Sequence, residues 1–159
     1  MSDDALRELY QDIILDHGRH PRNLRKLEAP THLARGHNPL CGDRVTVFLA
    51  IDGDKISDVS FDGRGCAIST AAASLMTEVL KGKTLEEART LFEQFHAKVT
   101  GGAPEEPPAE LEEDVERLEP LTGVKAYPVR VKCATLPWRT FEAALKSGLG
   151  GDSALVKTE

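Results

Sequence analysis

Three cysteines and one carboxylate are the residues of this chain whose types and settings can do chemistry. Cys41 and Asp43 stand two apart at the entry to a β-branched run, and the strand period of two puts both side chains on one face. Cys66 follows Gly63-x-Gly65 and precedes a helical pattern. The free N–H groups and dipole of such a helix start favour a thiolate. Cys133 begins the last helical block. Three thiolates and a carboxylate are donors enough for a tetrahedral metal site. Their spacing is not local, with 24 residues between Cys41 and Cys66 and 66 between Cys66 and Cys133. No CxxC occurs, which excludes a zinc ribbon and a thioredoxin-like redox motif. On spacing alone, inert buried thiols are the commoner arrangement. Gly42 and Gly65 beside two of the thiols, a setting of turns rather than of core, favour the metal.

Other polar features carry less. The five histidines, His17, His20, His32, His37 and His96, show no ligand spacing to one another. They read as surface or packing residues, with His17 able to approach the site by way of the first helix. The Gly63-x-Gly65 pair is too short for a phosphate loop and reads as a hairpin-to-helix turn. Arg130 and Lys132 flank Cys133. They are either solvated charges or cations that lower thiolate pKa values and dock an acidic partner.

These residues must be held by one domain. The 159-residue length fits a single core, and 40% hydrophobic with 29% charged residues is globular rather than disordered composition. Only 5% of residues are aromatic, so the core must be mostly aliphatic. A net charge of −6 argues against a nucleic-acid binder working by bulk charge. No run approaches 18 apolar residues, so no membrane-spanning helix is expected. The Met1-Ser2-Asp3-Asp4 start lacks the basic and apolar stretches of a secretory signal, so a cytoplasmic chain is expected. There, an odd number of cysteines means free thiols or metal ligands rather than disulfides.

Periodicity supplies the elements. Leu6, Leu9, Tyr10, Ile13 and Ile14 predict an amphipathic helix over 4–17. The stretch 18–40 is irregular and basic, with a weak strand pattern at 31–36. Residues 44–51 alternate as a strand, Asp52-Gly53-Asp54 is a hairpin turn, and a second strand follows over 55–61. A helix over 67–81 comes next, then another opened by a Thr84/Glu87 capping box. Residues 101–120 hold four prolines. Between Glu105 and Glu119, eight carboxylates and one arginine give a local charge of −7, so the rest of the chain sums to +1. This acidic insertion reads as a solvated loop with one polar helical turn. Pro128 opens a final helical block, in which Pro137 predicts a kink or a fresh helix start. The tail from Gly148 reads as frayed.

Three blocks together resemble one family. They are Tyr10-x-x-Ile13-Ile14-x-Asp16-His17-x-Arg19-x-Pro21-Arg22-Asn23, Asn38-Pro39-x-Cys41-Gly42-Asp43, and Phe61-x-Gly63-x-Gly65-Cys66-Ala67-Ile68-Ser69. Each is similar to a signature of the IscU/NifU-like iron–sulfur assembly superfamily. The block Val124-Lys125-x-Tyr127-Pro128-x-Arg130-x-Lys132-Cys133-Ala134-Thr135-Leu136-Pro137-Trp138 resembles its SufU-type branch. The resemblance spans roughly 5–148. It implies a single α+β domain over 1–159, with a small antiparallel sheet packed on one side by helices, and makes 101–120 an insertion typical of that branch.

It further implies that Cys41, Asp43, Cys66 and Cys133 hold Zn2+, and that the chain accepts persulfide sulfur from a cysteine desulfurase for the iron–sulfur assembly machinery. Sulfurtransferase activity is then expected, with Cys41 the acceptor. Cys66 and Cys133 are anchored in helical blocks, whereas Cys41 lies between Pro39 and Gly42 in the irregular stretch. Partner docking falls to Arg130 and Lys132. The alternative is a scaffold that assembles and transfers a [2Fe-2S] cluster on the same ligands. Lys132 stands where the IscU branch has a histidine ligand, which favours the first reading. Leu121-Thr122-Gly123-Val124-Lys125 replaces that branch's Leu-Pro-Pro-Val-Lys chaperone motif, so chaperone docking is not implied.

Overall fold

The structure, a computed structural model, describes residues 3–39, 42–147 and 155–157. Helix α1 (Asp3–Arg19) is followed by strands β1 (His32–Asn38), β2 (Asp43–Asp52) and β3 (Lys55–Arg64). Helices α2 (Ala67–Leu80), α3 (Leu85–Val99), α4 (Glu112–Leu118) and α5 (Pro128–Ser147) follow, and β4 (Leu155–Lys157) comes last. The sheet order is β3-β2-β1-β4, antiparallel throughout except that β4 runs parallel to β1. The predicted α+β class, an antiparallel sheet with helices on one side, is the architecture found: α5 lies on β1 and β2, and α2 lies on β3. Among the described residues no helix is long and apolar enough to cross a membrane.

The sheet forms because β2 alternates. Val45, Val47 and Leu49 are buried, while the intervening Arg44, Thr46 and Phe48 turn outward. The inner row meets α5 closely at Gly36, where a Cβ would strike Thr140 Oγ1. A residue with no side chain is therefore what lets the helix seat on β1. Between α3 and α5, Trp138 stacks on Phe92 and Phe95, with ring centroids 5.7 Å apart in each pair. The predicted Thr84/Glu87 capping box is present, its Oγ1 accepting from Glu87 N at 3.1 Å.

Four expectations need correction. Within the predicted 101–120 insertion, 101–108 is loop as expected, but 109–120 is not a solvated loop. A 3₁₀ turn (Ala109–Leu111), α4 and a 3₁₀ segment (Glu119–Ala126) bury Leu111, Val115, Leu118, Leu121 and Val124. The carboxylates of this stretch occupy one side of an amphipathic surface, and the charge run masked an apolar stripe. Pro137 does not start a new helix, because α5 is one element of 20 residues. Losing one N–H is outweighed by burying Cys133, Leu136, Trp138 and Phe141 on that helix. In α1, the buried side runs through Ile13, Ile14 and His17, and Leu9 is 44% exposed. The tail is not wholly frayed, since Leu155–Lys157 pairs with β1; the predicted end at 148–154 lies outside the described residues.

Candidate metal centre

Asp43 opens β2 and is almost fully buried. Its Oδ1 accepts the backbone N–H of Cys66 at 2.8 Å, which ties the strand to the start of α2. Cys66 is the N-cap of that helix, with φ −68° and ψ 170°. Its Sγ accepts from Ser69 N at 3.4 Å and lies 3.8 Å from Asp43 Oδ2. A sulfur thus does the work an oxygen usually does at a helix start, in the positive field of the helix N-terminus. Gly65 makes this possible. A Cβ there would collide with Ser69 Oγ and come within 2.9 Å of Asp43 Oδ1.

Cys133 arrives from the other end of the chain. It lies in the second turn of α5 with no exposed surface. Its Sγ–H points to Val129 O at 3.8 Å, and Asn38 Nδ2 points at the sulfur from 3.8 Å. Asn38 ends β1 directly opposite Asp43 in the ladder. Its buried amide is a site neighbour that motif reading passed over. The available signal was a polar residue on the inward phase of β1, in step with Ala34 and Gly36.

The ligand atoms of Asp43, Cys66 and Cys133 all lie within 4.8 Å of one another. Donors around a tetrahedral zinc sit about 3.3–3.8 Å apart, so a small contraction brings these three onto one ion. Soft thiolates with one carboxylate select zinc or iron over magnesium or calcium. Among the described residues no lysine or arginine pairs with Asp43. The donor set therefore fits a bound metal. Cys41, the remaining predicted ligand, lies outside the described residues.

The other predicted residues are placed as follows. Arg130 is exposed and Lys132 half-buried on the first turns of α5, leading to Cys133. Exposed Tyr127 and Val129 stand beside them. His17 does not join the cluster. Its Nδ1 bonds Ser74 Oγ at 2.7 Å and its Nε2 faces Glu78 at 3.7 Å, two to three turns along α2 from Cys66. Burial, reinforced by Arg22, holds its pKa below the usual 6.5. His96 bonds Arg139 at 3.1 Å instead, and burial lowers its pKa as well.

The protein is an α+β domain in which two thiols and a carboxylate that could hold a metal ion converge at the end of a sheet and the start of a helix. The particular family follows from comparison: residues 9–144 match the NifU-like N terminal domain, and the chain belongs to that family. It is 37% identical over 147 residues to the zinc-dependent sulfurtransferase SufU of Bacillus subtilis, covering 92% of this chain and 96% of that one. It is 38% identical over 146 residues to the iron–sulfur cluster assembly scaffold protein IscU of Streptococcus pyogenes serotype M1, covering 92% and 88%. Its fold matches a crystal structure of FiSufU from Fervidobacterium islandicum AW-1, described as an iron–sulfur cluster assembly scaffold protein for the SUF system. That match has a TM-score of 0.78 and 37% identity over 87% of this chain and 98% of that one.

Proposed function

We propose that this protein is a zinc-dependent sulfurtransferase that takes persulfide sulfur from a cysteine desulfurase and delivers it to iron–sulfur cluster assembly in the cytoplasm. The observation that carries this reading is the meeting of Asp43, Cys66 and Cys133 within 4.8 Å, from elements far apart in sequence. Similarity to a SufU named for zinc-dependent sulfur transfer supports it. Cys41, Asp43, Cys66 and Cys133 would hold the zinc. Zinc, when bound, supplies thiols that stay deprotonated at neutral pH.

The chain's own residues divide the remaining work. Cys66 caps a helix and Cys133 has no exposed surface, which supports Cys41 as the acceptor. Its thiolate attacks the terminal sulfur of the donor's persulfide. The new S–S bond forms on Cys41 as the donor's S–S bond breaks, and the donor cysteine leaves as thiolate, with no net oxidation. Asp43 holds the N–H of Cys66 and so keeps the helix start in place while Cys41 reacts. Exposed Arg130, Tyr127 and Val129 present a mixed cationic and apolar surface where the donor would dock, with Lys132 behind it. A scaffold carrying a [2Fe-2S] cluster as cargo is the second reading, favoured by the similarity to the streptococcal IscU.

The test is mass spectrometry after incubation with a cysteine desulfurase and cysteine, under conditions that trap persulfides. One added sulfur should map to the peptide holding Cys41, and Arg130→Ala should keep zinc while weakening desulfurase activation. An adduct on Cys66 or Cys133 with Cys41 bare would overturn the acceptor assignment.

A further inference from the structure

The outward side of the sheet carries a row of basic residues at the ligand end. Arg44 directly follows Asp43 and turns to the face opposite the helices. In the ladder it stands opposite Arg64 of β3, two residues before Cys66, and opposite His37 of β1. Strand β4 sets Lys157 at the next register position beyond His37. Arg44 and Arg64 are exposed. Neither side chain has an ion pair or hydrogen bond among the described residues. Like charges directly opposite each other weaken an antiparallel pair, so nothing in the fold itself explains this arrangement. The nearby carboxylate, Asp62, is half-buried and bonds its own neighbour, Gly63 N, at 2.9 Å. Inward of the row lies a hollow of about 260 Å³, with Arg35, His37, Arg44 and Thr46 among its lining.

The opposite sign sits elsewhere. The acidic segment is anchored by Lys83–Asp114 at 3.1 Å, beyond the C-terminal end of α2. The 14 residues of that helix, about 21 Å of rise, separate this pair from Cys66. A chain of net charge −6 therefore turns a basic side outward where its ligands are. Such an asymmetry orients an acidic protein so that the ligand end meets it first.

We infer that the outer sheet face formed by Arg44, Arg64 and His37 is a docking surface for a carboxylate-rich surface of the sulfur-donating protein. The inference rests on the sulfur-transfer reading. It gives the site a second flank, with α5 and Arg130 on one side and the arginine row on the other. A protein surface fits better than a free anion. The row crosses three strands, about 10 Å at the usual strand spacing, and lies open to water, where a single small anion is weakly held.

Arg44→Glu/Arg64→Glu, with Arg44→Gln/Arg64→Gln as a milder pair, tests this by calorimetric titration of purified cysteine desulfurase at low and moderate salt. Zinc content and melting temperature are checked for each protein. The charge reversal should weaken binding at least about tenfold and flatten its salt dependence, with the neutral pair intermediate. Wild-type affinity and salt slope in both variants would overturn the docking face while leaving sulfur transfer intact. A wild-type chain that fails to bind the desulfurase at all overturns both readings. Displacement of the desulfurase by inorganic phosphate, but not by chloride of equal ionic strength, would make the row a small-anion site and overturn the inference. So would a dimer in sedimentation that the charge reversal dissolves.

Discussion

Two polar clusters meet helix α2, one at its start and one along its middle, and they are built on opposite plans. Along the middle, partners are found within the protein. Ser74 Oγ is shared by His17 Nδ1 at 2.7 Å and by Arg22 N at 2.9 Å. Glu78 lies between His17 and Arg117, 3.7 and 3.1 Å away. The Glu78 carboxylate is met by the Arg117 guanidinium, and the cluster joins α1 to α2 and α4. At the start of α2, two thiols and a carboxylate converge instead, with sulfur contacts of 3.8 Å and no cation pairing with Asp43 among the described residues. A cluster whose charges cancel internally holds a fold together. A cluster in which two thiols and a carboxylate converge fits a bound metal.

The contrast is broken most directly by removing a donor from each side. Cys133→Ser should lower zinc content by about tenfold or more, whereas His17→Gln should leave it unchanged; elemental analysis of the purified proteins measures both. Zinc loss in His17→Gln would merge the two clusters into one. A smaller effect is expected from Gly65→Ala. Its methyl group presses on Asp43 and Ser69, so chelator competition should show faster zinc loss in a protein that remains folded.

The smallest effect tests the middle cluster. Ser74→Ala leaves His17 and Arg22 N without their shared partner. It should cost about 1–3 kcal/mol of stability, with zinc content unchanged. The same cluster fixes a pH dependence. Because burial depresses the folded-state pKa of His17 below 6.5, the unfolded chain binds its proton first as pH falls. Stability should be full above about pH 6.5 and decline below it, until the folded state also takes the proton. Denaturant titrations from pH 7.5 to 5 should show less of that decline in His17→Gln.

Much of this was legible because it is local. The alternation of Val45, Val47 and Leu49, the Asp52-Gly53-Asp54 turn and the Thr84/Glu87 capping box each need only a few neighbouring residues to be recognised. Asp43, Cys66 and Cys133 could be named as candidate ligands from their donor types, with a glycine beside each of the first two. The buried stripe of 111–124 was not legible, because a run of carboxylates dominates its composition while Leu111, Val115, Leu118 and Leu121 face inward. Asn38 was legible only as part of a motif in a stretch read as irregular, with no role of its own. Only the position of α5 shows that its amide lies on a sulfur.

The sequence by itself determined the period of β2, β3, α2 and α3, the turn and cap between them, and the inventory of thiols and carboxylates. Those properties arise from sterics and hydrogen bonds within one or two turns of chain. Tertiary structure decided which of these groups meet. Cys133 comes within 4.8 Å of Asp43 and Cys66 because α5 crosses β1 where Gly36 leaves room for Thr140, across about a hundred residues of intervening chain. The same packing keeps α5 helical through Pro137, turns His17 to Ser74 rather than to the thiols, and lays Arg44 beside Arg64 on the open face. No local rule decides these pairings, because each depends on burying apolar surface contributed by distant segments at once.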